Sequence, residues 1–263
     1  LRPEKMTPKE RRNAIGYSSK EVQIDTTLKS AYMSVNTFAR GNQLRKFFKY
    51  TFKNAERLNI NHLVIDVRSN GGGDAGNAIA LTQYLSDHSF IVADSLYALK
   101  RSSKYREYIK MQPLYWFATL FITKKRSDGN FHFGYFERHK FKPRKKYHYN
   151  GNIYILTGGN SFSATTLFAQ LLKGQSNVKI VGEETGGGSY GNTAWIIPEL
   201  RLPKTGLIVN IPKFRFVMRK ELVQEGRGVL PDIYAAPTAE DIRKGIDVKI
   251  QEVKYLILRD NGY

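Results

Sequence analysis

In residues 154–172, YILTGGNSFSATTLFAQLL, an apolar run turns through two glycines, passes two serines and enters an amphipathic run at once. The segment IYILT at 153–157 has the length and composition of a buried parallel strand, and SATTLFAQLLKG reads as the helix that follows it. A helix start needs one serine as its cap. A second serine on the same corner calls for another reason.

The same layout occurs earlier in the chain. HLVIDV at 62–67 reads as a buried strand, RSNGGGDAGN breaks it, and AIALTQYLSD reads as a helix. A further strand, VKIVG, is expected at 178–182. Before these, EVQIDTTLKSAYMSVNTF has β-type stretches, and Leu44, Phe47, Phe48, Phe52, Ala55 and Leu58 recur at helical spacing. Near the N-terminus, Thr7, Pro8 and Glu10 form a capping-box pattern for a first helix. Alternating strands and helices imply an α/β fold around a mostly parallel sheet.

In such sheets the functional loops gather at the carboxyl ends of the strands. The glycine turn at 70–73 and the serine corner at 158–163 both follow strands, so they face each other if those strands are neighbours. Glycine-rich backbone offers free N–H groups as an anion nest, and a helix N-terminus favours developing negative charge. A hydroxyl beside such donors has the equipment for acyl transfer, in which one oxyanion donor is worth about 3–4 kcal/mol of barrier. Taken singly, a serine at a helix start is a cap and a glycine run is a turn. The pair on matching corners is the more specific signal.

Composition sets the other bounds. The chain has 263 residues, 41% hydrophobic and 25% charged, with a net charge of +19. It has no cysteine, hence no disulfide, thiolate metal site or cysteine nucleophile. No apolar run reaches the roughly 18 residues of a membrane span; the longest, PLYWFATLFI, covers only 113–122. The chain starts at Leu1 with no methionine or signal segment and is read as a piece of a longer protein. Its five histidines are scattered and no HExxH occurs, so neither a metal nor a cofactor is expected. GEETGGGSYGN lacks the Gly-Lys-Ser/Thr ending of a nucleotide P-loop. NGGGDAGN matches the dinucleotide glycine pattern only loosely.

Three segments carry a family resemblance. LVIDVRSNGGG at 63–73 resembles the hydrophobic–Asp–hydrophobic–Arg–x–Asn–x–Gly–Gly signature of the tail-specific, or C-terminal processing, serine peptidases. The serine segment with VGEETGGG resembles their second signature, and EGRGVLPDI at 225–233 resembles their closing Gly-Val-x-Pro-Asp segment. The resemblance implies a Clp-protease/crotonase-like α/β fold. It places the nucleophile on Ser163 and the oxyanion donors on the backbone N–H groups of Gly72 and Ala164. Asp66 and Arg68 are expected to brace the loop.

Two departures set the branch. The family's catalytic lysine aligns with Gly188, and no lysine lies between Lys179 and Lys204. The family's glutamate after the serine motif is Thr166. The tricorn-type branch uses serine, histidine and a distant glutamate instead, and Glu225 stands where that glutamate belongs; otherwise it is a solvated loop carboxylate. His62 begins the strand that ends at the glycine turn, some 30 Å from the site at roughly 3.3 Å per residue. His88 follows the helix leading away from it, and His132, His139 and His148 are expected at surface positions. In the tricorn-type branch the base comes from an upstream helical segment. The base is therefore expected outside this chain, which alone should show little hydrolysis.

The expected organisation is a leading helical and strand segment at 1–60 and a peptidase core at 61–263. Within the core, a basic aromatic insert spans about 100–148. That insert is read as packed on the core with a solvated cationic face, suited to anionic surfaces and able to cover the groove as a lid. It carries no recognised nucleic-acid motif. A protein or peptide substrate is expected, taken up as an added β-strand near AWIIPELRLP at 194–203. Family habit suggests an extracytoplasmic location. The rivals are an inactive peptide- or ligand-binding module on the same fold, and a nucleic-acid or polyanion binding protein.

Overall fold

The computed structural model describes residues 18–110, 112–222 and 226–262; the helix start expected at Thr7–Glu10 lies outside them. The strands are β1 (Lys20–Asp25), β2 (Ser30–Val35), β3 (His62–Asp66), β4 (Ser95–Ala98), β5 (Lys124–Lys125), β6 (Phe131–His132) and β7 (Asn152–Thr157). They continue as β8 (Val178–Gly182), β9 (Gly191–Asn192), β10 (Glu199–Arg201), β11 (Ile208–Asn210), β12 (Arg215–Val217) and β13 (Ile233–Tyr234). The α-helices are α1 (Leu44–Arg57), α2 (Ala75–Leu85), α3 (Gln112–Ile122), α4 (Gly134–Arg138), α5 (Ala164–Leu172), α6 (Ala239–Lys244) and α7 (Val248–Asp260).

Six strands form the central sheet in the order β1-β2-β3-β7-β8-β13. All are parallel except β1, which pairs antiparallel with β2. This is the α/β architecture that the strand–helix alternation predicts. The decisive pairing is β3 with β7, Asp66 opposite Leu156. It makes the two motif-bearing strands immediate neighbours, so their exit loops emerge side by side.

The two-residue period of the strands divides the core. Met33, Leu63, Ile65, Ile153, Ile155 and Ile180 are buried on one face, in a single cluster with Phe48 and Phe52 of α1, Leu81 and Leu85 of α2, and Phe168 and Leu172 of α5. Val64, Tyr154, Leu156 and Val181 face the other way, against Val253, Leu256 and Ile257 of α7. The three layers are thus α1/α2/α5, sheet, and α7. Residues 20–60 contribute β1, β2 and α1, with β2 inside the sheet.

A second, antiparallel sheet has the order β5-β6-β4-β12-β9. The basic insert is woven into it through β5 and β6, and Phe136 and Phe141 are buried with Leu96, Phe214 and Phe216. This sheet packs against Ile79 of α2 and Leu167 of α5, and its Asn192 and Phe216 line the cleft that holds Ser163.

Candidate active site

The chain leaves β3 at Asp66, turns through residues 67–73 and enters α2. Asn70 is fully buried and organises this turn. Its Nδ2 donates to the Val35 carbonyl at 2.9 Å, its Oδ1 accepts from the Gly72 N–H at 2.9 Å, and its carbonyl accepts from the Phe162 N–H at 3.2 Å. That last bond joins the glycine turn to the serine corner. Gly72 has φ of +104°, and a Cβ placed there would lie 2.8 Å from both Phe162 O and Ser163 Cβ. The backbones approach so closely that glycine is required.

The two serines on the corner do different work. Ser161 is fully buried; its Oγ donates to the Val67 carbonyl at 2.9 Å and accepts from the Gly158 N–H at 3.3 Å. It fastens the corner to the end of β3 and caps nothing. Ser163 stands at the start of α5 with φ 55° and ψ −117°, a strained conformation for a residue with a side chain. Its hydroxyl has no hydrogen-bond partner among the described residues, and it is only partly buried. The backbone turn presents Ser163 outward at the positive end of α5.

Ser163 and Ala164 line a cleft of about 540 Å³ together with Gly73, Asp74, Phe133, Phe136, Trp195 and Phe216. The aromatic walls interlock, Phe136 against Trp195 at 4.8 Å and Phe133 against Trp195 at 5.3 Å between ring centres. Arg40 and Arg45 supply positive charge at the rim, with Asp74 bound to Arg40.

Of the expected oxyanion donors, Ala164 N–H has no partner among the described residues, as a first helical residue should. Gly72 N–H is already donated to Asn70. Gly73 N–H has no partner among the described residues, and Gly73 lines the cleft whereas Gly72 does not. A run of three glycines does not show in sequence which amide is left unbonded.

Asp66 and Arg68 form a brace. Arg68 binds Asp66 through Nε and Nη2, at 3.0 Å and 2.6 Å, and reaches Asp247 through Nη1 at 2.8 Å. Tyr32 donates to Asp66 at 2.5 Å. Burial, the strongest influence on Asp66, pushes its pKa up; the bonds from Arg68 and Tyr32 and the guanidinium charge outweigh it and hold the carboxyl below its ordinary value. The pair ties the exit of β3 to the N-terminus of α7.

None of the five histidines lines the cleft. His62 contacts Asn261, and His88 lies beyond α2 beside Asp87. His132, expected at the surface, is buried: Nδ1 meets Glu137 at 2.7 Å and Nε2 meets Asp128 at 2.9 Å. Its two carboxylate partners allow an imidazole to sit inside, which the basic composition of the segment hid. Glu225 lies outside the described residues. The neighbouring Arg227–Val229 segment is fixed to the loop after β8 by Ser189 N–H to the Arg227 carbonyl at 2.9 Å and Val229 N–H to Thr185 Oγ1 at 2.8 Å. Gly188 bridges to Gly228 in that same loop pair. Among the described residues no group of three His, Cys, Asp or Glu is placed to hold a metal ion.

A sequence model of peptidase family S41 matches residues 29–235, and the chain belongs to that family. None of the curated proteins compared matches it. Among solved structures it is similar to a candidate peptidase of Parabacteroides merdae ATCC 43184. There the TM-score is 0.59 and the identity 19%, over 94% of this chain and 69% of that one. Mature CPAF gives 0.58 and 18%, over 89% and 52%. Tricorn protease gives 0.51 and 19%, over 89% and 18%. The chain thus spans about half the length of CPAF and less than a fifth of tricorn. At these identities the likeness is one of fold, a mixed α/β unit with a mainly parallel central sheet.

Proposed function

We propose that the chain is the core of a serine endopeptidase with Ser163 as nucleophile. The observation that carries this reading is the partly buried, unbonded Ser163 hydroxyl at a residue of positive φ, lining a cleft and pressed against a glycine turn whose Gly73 lines the same cleft. Ser163 Oγ attacks the peptide carbonyl while its proton passes to a base. The tetrahedral oxyanion is held by Ala164 N–H and by the glycine turn. The turn's donor is Gly72, as the family motif implies, after its N–H leaves Asn70, or Gly73, which lines the cleft and whose N–H has no partner among the described residues. Collapse expels the amine, which takes the proton, and water then hydrolyses the acyl-enzyme by the same route.

The base in this reading is a histidine supplied from outside these 263 residues, with Glu225 orienting it or anchoring substrate. Two observations support this: residue 188 is glycine in place of the family's lysine, and no histidine lines the cleft. The substrate is a polypeptide bound as an extended strand. The outer edge of β9 is unpaired in its sheet, and Asn192, Ala194, Trp195 and Ile196 line the cleft beside Ser163. An extracytoplasmic location accords with family habit.

A fluorophosphonate probe tests the assignment. Labelling of the whole protein that disappears in Ser163→Ala supports it. Absence of labelling, with peptides still bound in the cleft, supports the alternative, an inactive binding module on the same fold; the missing lysine and the absence of a histidine from the cleft favour that reading.

A further inference from the structure

Helix α3 is built inside out. Its apolar residues Leu114, Trp116, Phe117, Leu120, Phe121 and Ile122 are exposed, Phe121 at 72% and Phe117 at 56%. The buried positions at its C-terminal end are threonines, Thr119 and Thr123. Each satisfies itself locally: Thr119 Oγ1 donates to the Trp116 carbonyl at 2.9 Å, and Thr123 Oγ1 donates to the Thr119 carbonyl at 2.6 Å. Arg101 anchors this end, donating from Nε to Thr123 Oγ1 at 3.0 Å while its guanidinium stacks on Phe131 at 4.6 Å. A cation on the last carbonyls also suits the helix dipole. The helix is therefore held by its polar face and offers its apolar face outward. So many large apolar side chains in one exposed patch mark an interaction surface.

We propose that α3 docks the protein on an anionic lipid surface, lying in the interface between headgroups and acyl chains. Charge complementarity selects this occupant. Lys104, Arg106 and Lys110 precede the helix and Lys124 and Lys125 follow it, all exposed. Residues 100–148 carry 14 lysines and arginines against three acidic residues. Lysine is depleted at protein–protein interfaces but enriched beside apolar stretches that rest on anionic membranes. Tryptophan and phenylalanine suit the headgroup boundary. With 11 residues, α3 is far too short to span a bilayer, and among the described residues no helix is long and apolar enough to do so. Ile122, at its end, lines the cleft that holds Ser163. Docking by α3 therefore brings the cleft up to the lipid surface, where segments of membrane-attached chains are the accessible substrates.

Vesicle sedimentation of the 263-residue chain tests this. Phosphatidylcholine–phosphatidylglycerol vesicles are expected to bind it, pure phosphatidylcholine vesicles far less, with binding falling as salt rises. Brominated acyl chains should quench Trp116, identified by the difference from Trp116→Phe. Phe117→Glu and Phe121→Glu should each weaken binding by roughly tenfold or more. Lys124→Glu and Lys125→Glu should each do so by roughly fivefold or more. All four positions are exposed, and unchanged circular dichroism and melting show that the variants fold. The proposal is overturned by vesicles that do not bind, or by binding that survives Phe117→Glu and Phe121→Glu. It is overturned equally by a dimer that those variants dissolve in the absence of lipid, or by retention on heparin without vesicle binding. Fluorophosphonate labelling of Ser163 is independent of every one of these outcomes.

Discussion

Ser161 Oγ donates a 2.9 Å hydrogen bond to the carbonyl of Val67, from one crossover corner of the sheet to the next. Both groups are buried, and the bond fixes the spacing between the glycine turn and the helix that carries Ser163. Removing the hydroxyl leaves the Val67 carbonyl and the Gly158 N–H without it. Ser161→Ala should therefore cost about 1–3 kcal/mol of stability, read by urea denaturation. Ser163→Ala, whose hydroxyl bonds nothing among the described residues, should leave the urea midpoint within error while abolishing fluorophosphonate labelling. A midpoint drop for Ser163→Ala equal to that of Ser161→Ala would contradict this division of labour.

Neighbouring glycines in the turn should behave differently. Gly72 has φ of +104° and a methyl on its Cα would meet Phe162 O and Ser163 Cβ; a methyl on Gly71 would have nothing within 4 Å. Gly72→Ala should cost about 1–3 kcal/mol in backbone strain, with the clash adding to it, and should displace Ser163. Gly71→Ala should be tolerated. Melting and probe labelling of the two variants check the contrast, and equal effects would mean that the corners do not abut.

Asp66 sets an acid limit on the fold. Its folded pKa is depressed, so its stabilising contribution is complete above the ordinary carboxylate value and is lost as pH falls through the lower folded value. Arg68 and Tyr32 both titrate above their ordinary values, so neither changes charge in that window. Asp66→Asn should reduce stability at neutral pH, and its stability should then vary less than the parent's on acidification. Denaturation curves from neutral to acidic pH decide the matter; parallel curves for parent and variant would remove Asp66 from the account.

The alternation of strands and helices was legible because β3 and β7 are buried on both faces and therefore read as short apolar runs, and β8 does so apart from its exposed Lys179. The abutting corners followed from motif order once those strands were taken as neighbours. The second sheet was not legible. β5, β6 and β9 are two residues long, too short to show a period, and the pairings that join β6 to β4 and β9 to β12 link segments distant in sequence. Nor could composition reveal that α3 turns its threonines inward, because its apolar run is compatible with a core helix. The role of Asn70 was half visible: the motif marked it, but only the fold shows that its Oδ1 occupies the Gly72 amide.

His132 is the histidine whose substitution should matter most, and for a reason other than catalysis. It is buried between Glu137, itself only 2% exposed, and Asp128. His132 and Asn130 hold Asp128 down to about 2. Glu137 also accepts from Leu96 N–H and pairs with Arg126, so it joins β4, the turn that follows β5, and α4. His132→Gln removes one hydrogen-bond partner of a buried carboxylate and should cost about 1–3 kcal/mol. Phe133 and Phe136, on the same segment, wall the cleft, so loosening it should raise KM for peptides in the active protein more than it lowers kcat. Probe labelling of the folded fraction should persist, as it should when His62, His88, His139 or His148 is replaced by glutamine. Loss of labelling in a His132→Gln protein that melts like the parent would make His132 the base and refute the assignment of that role to a residue outside the chain.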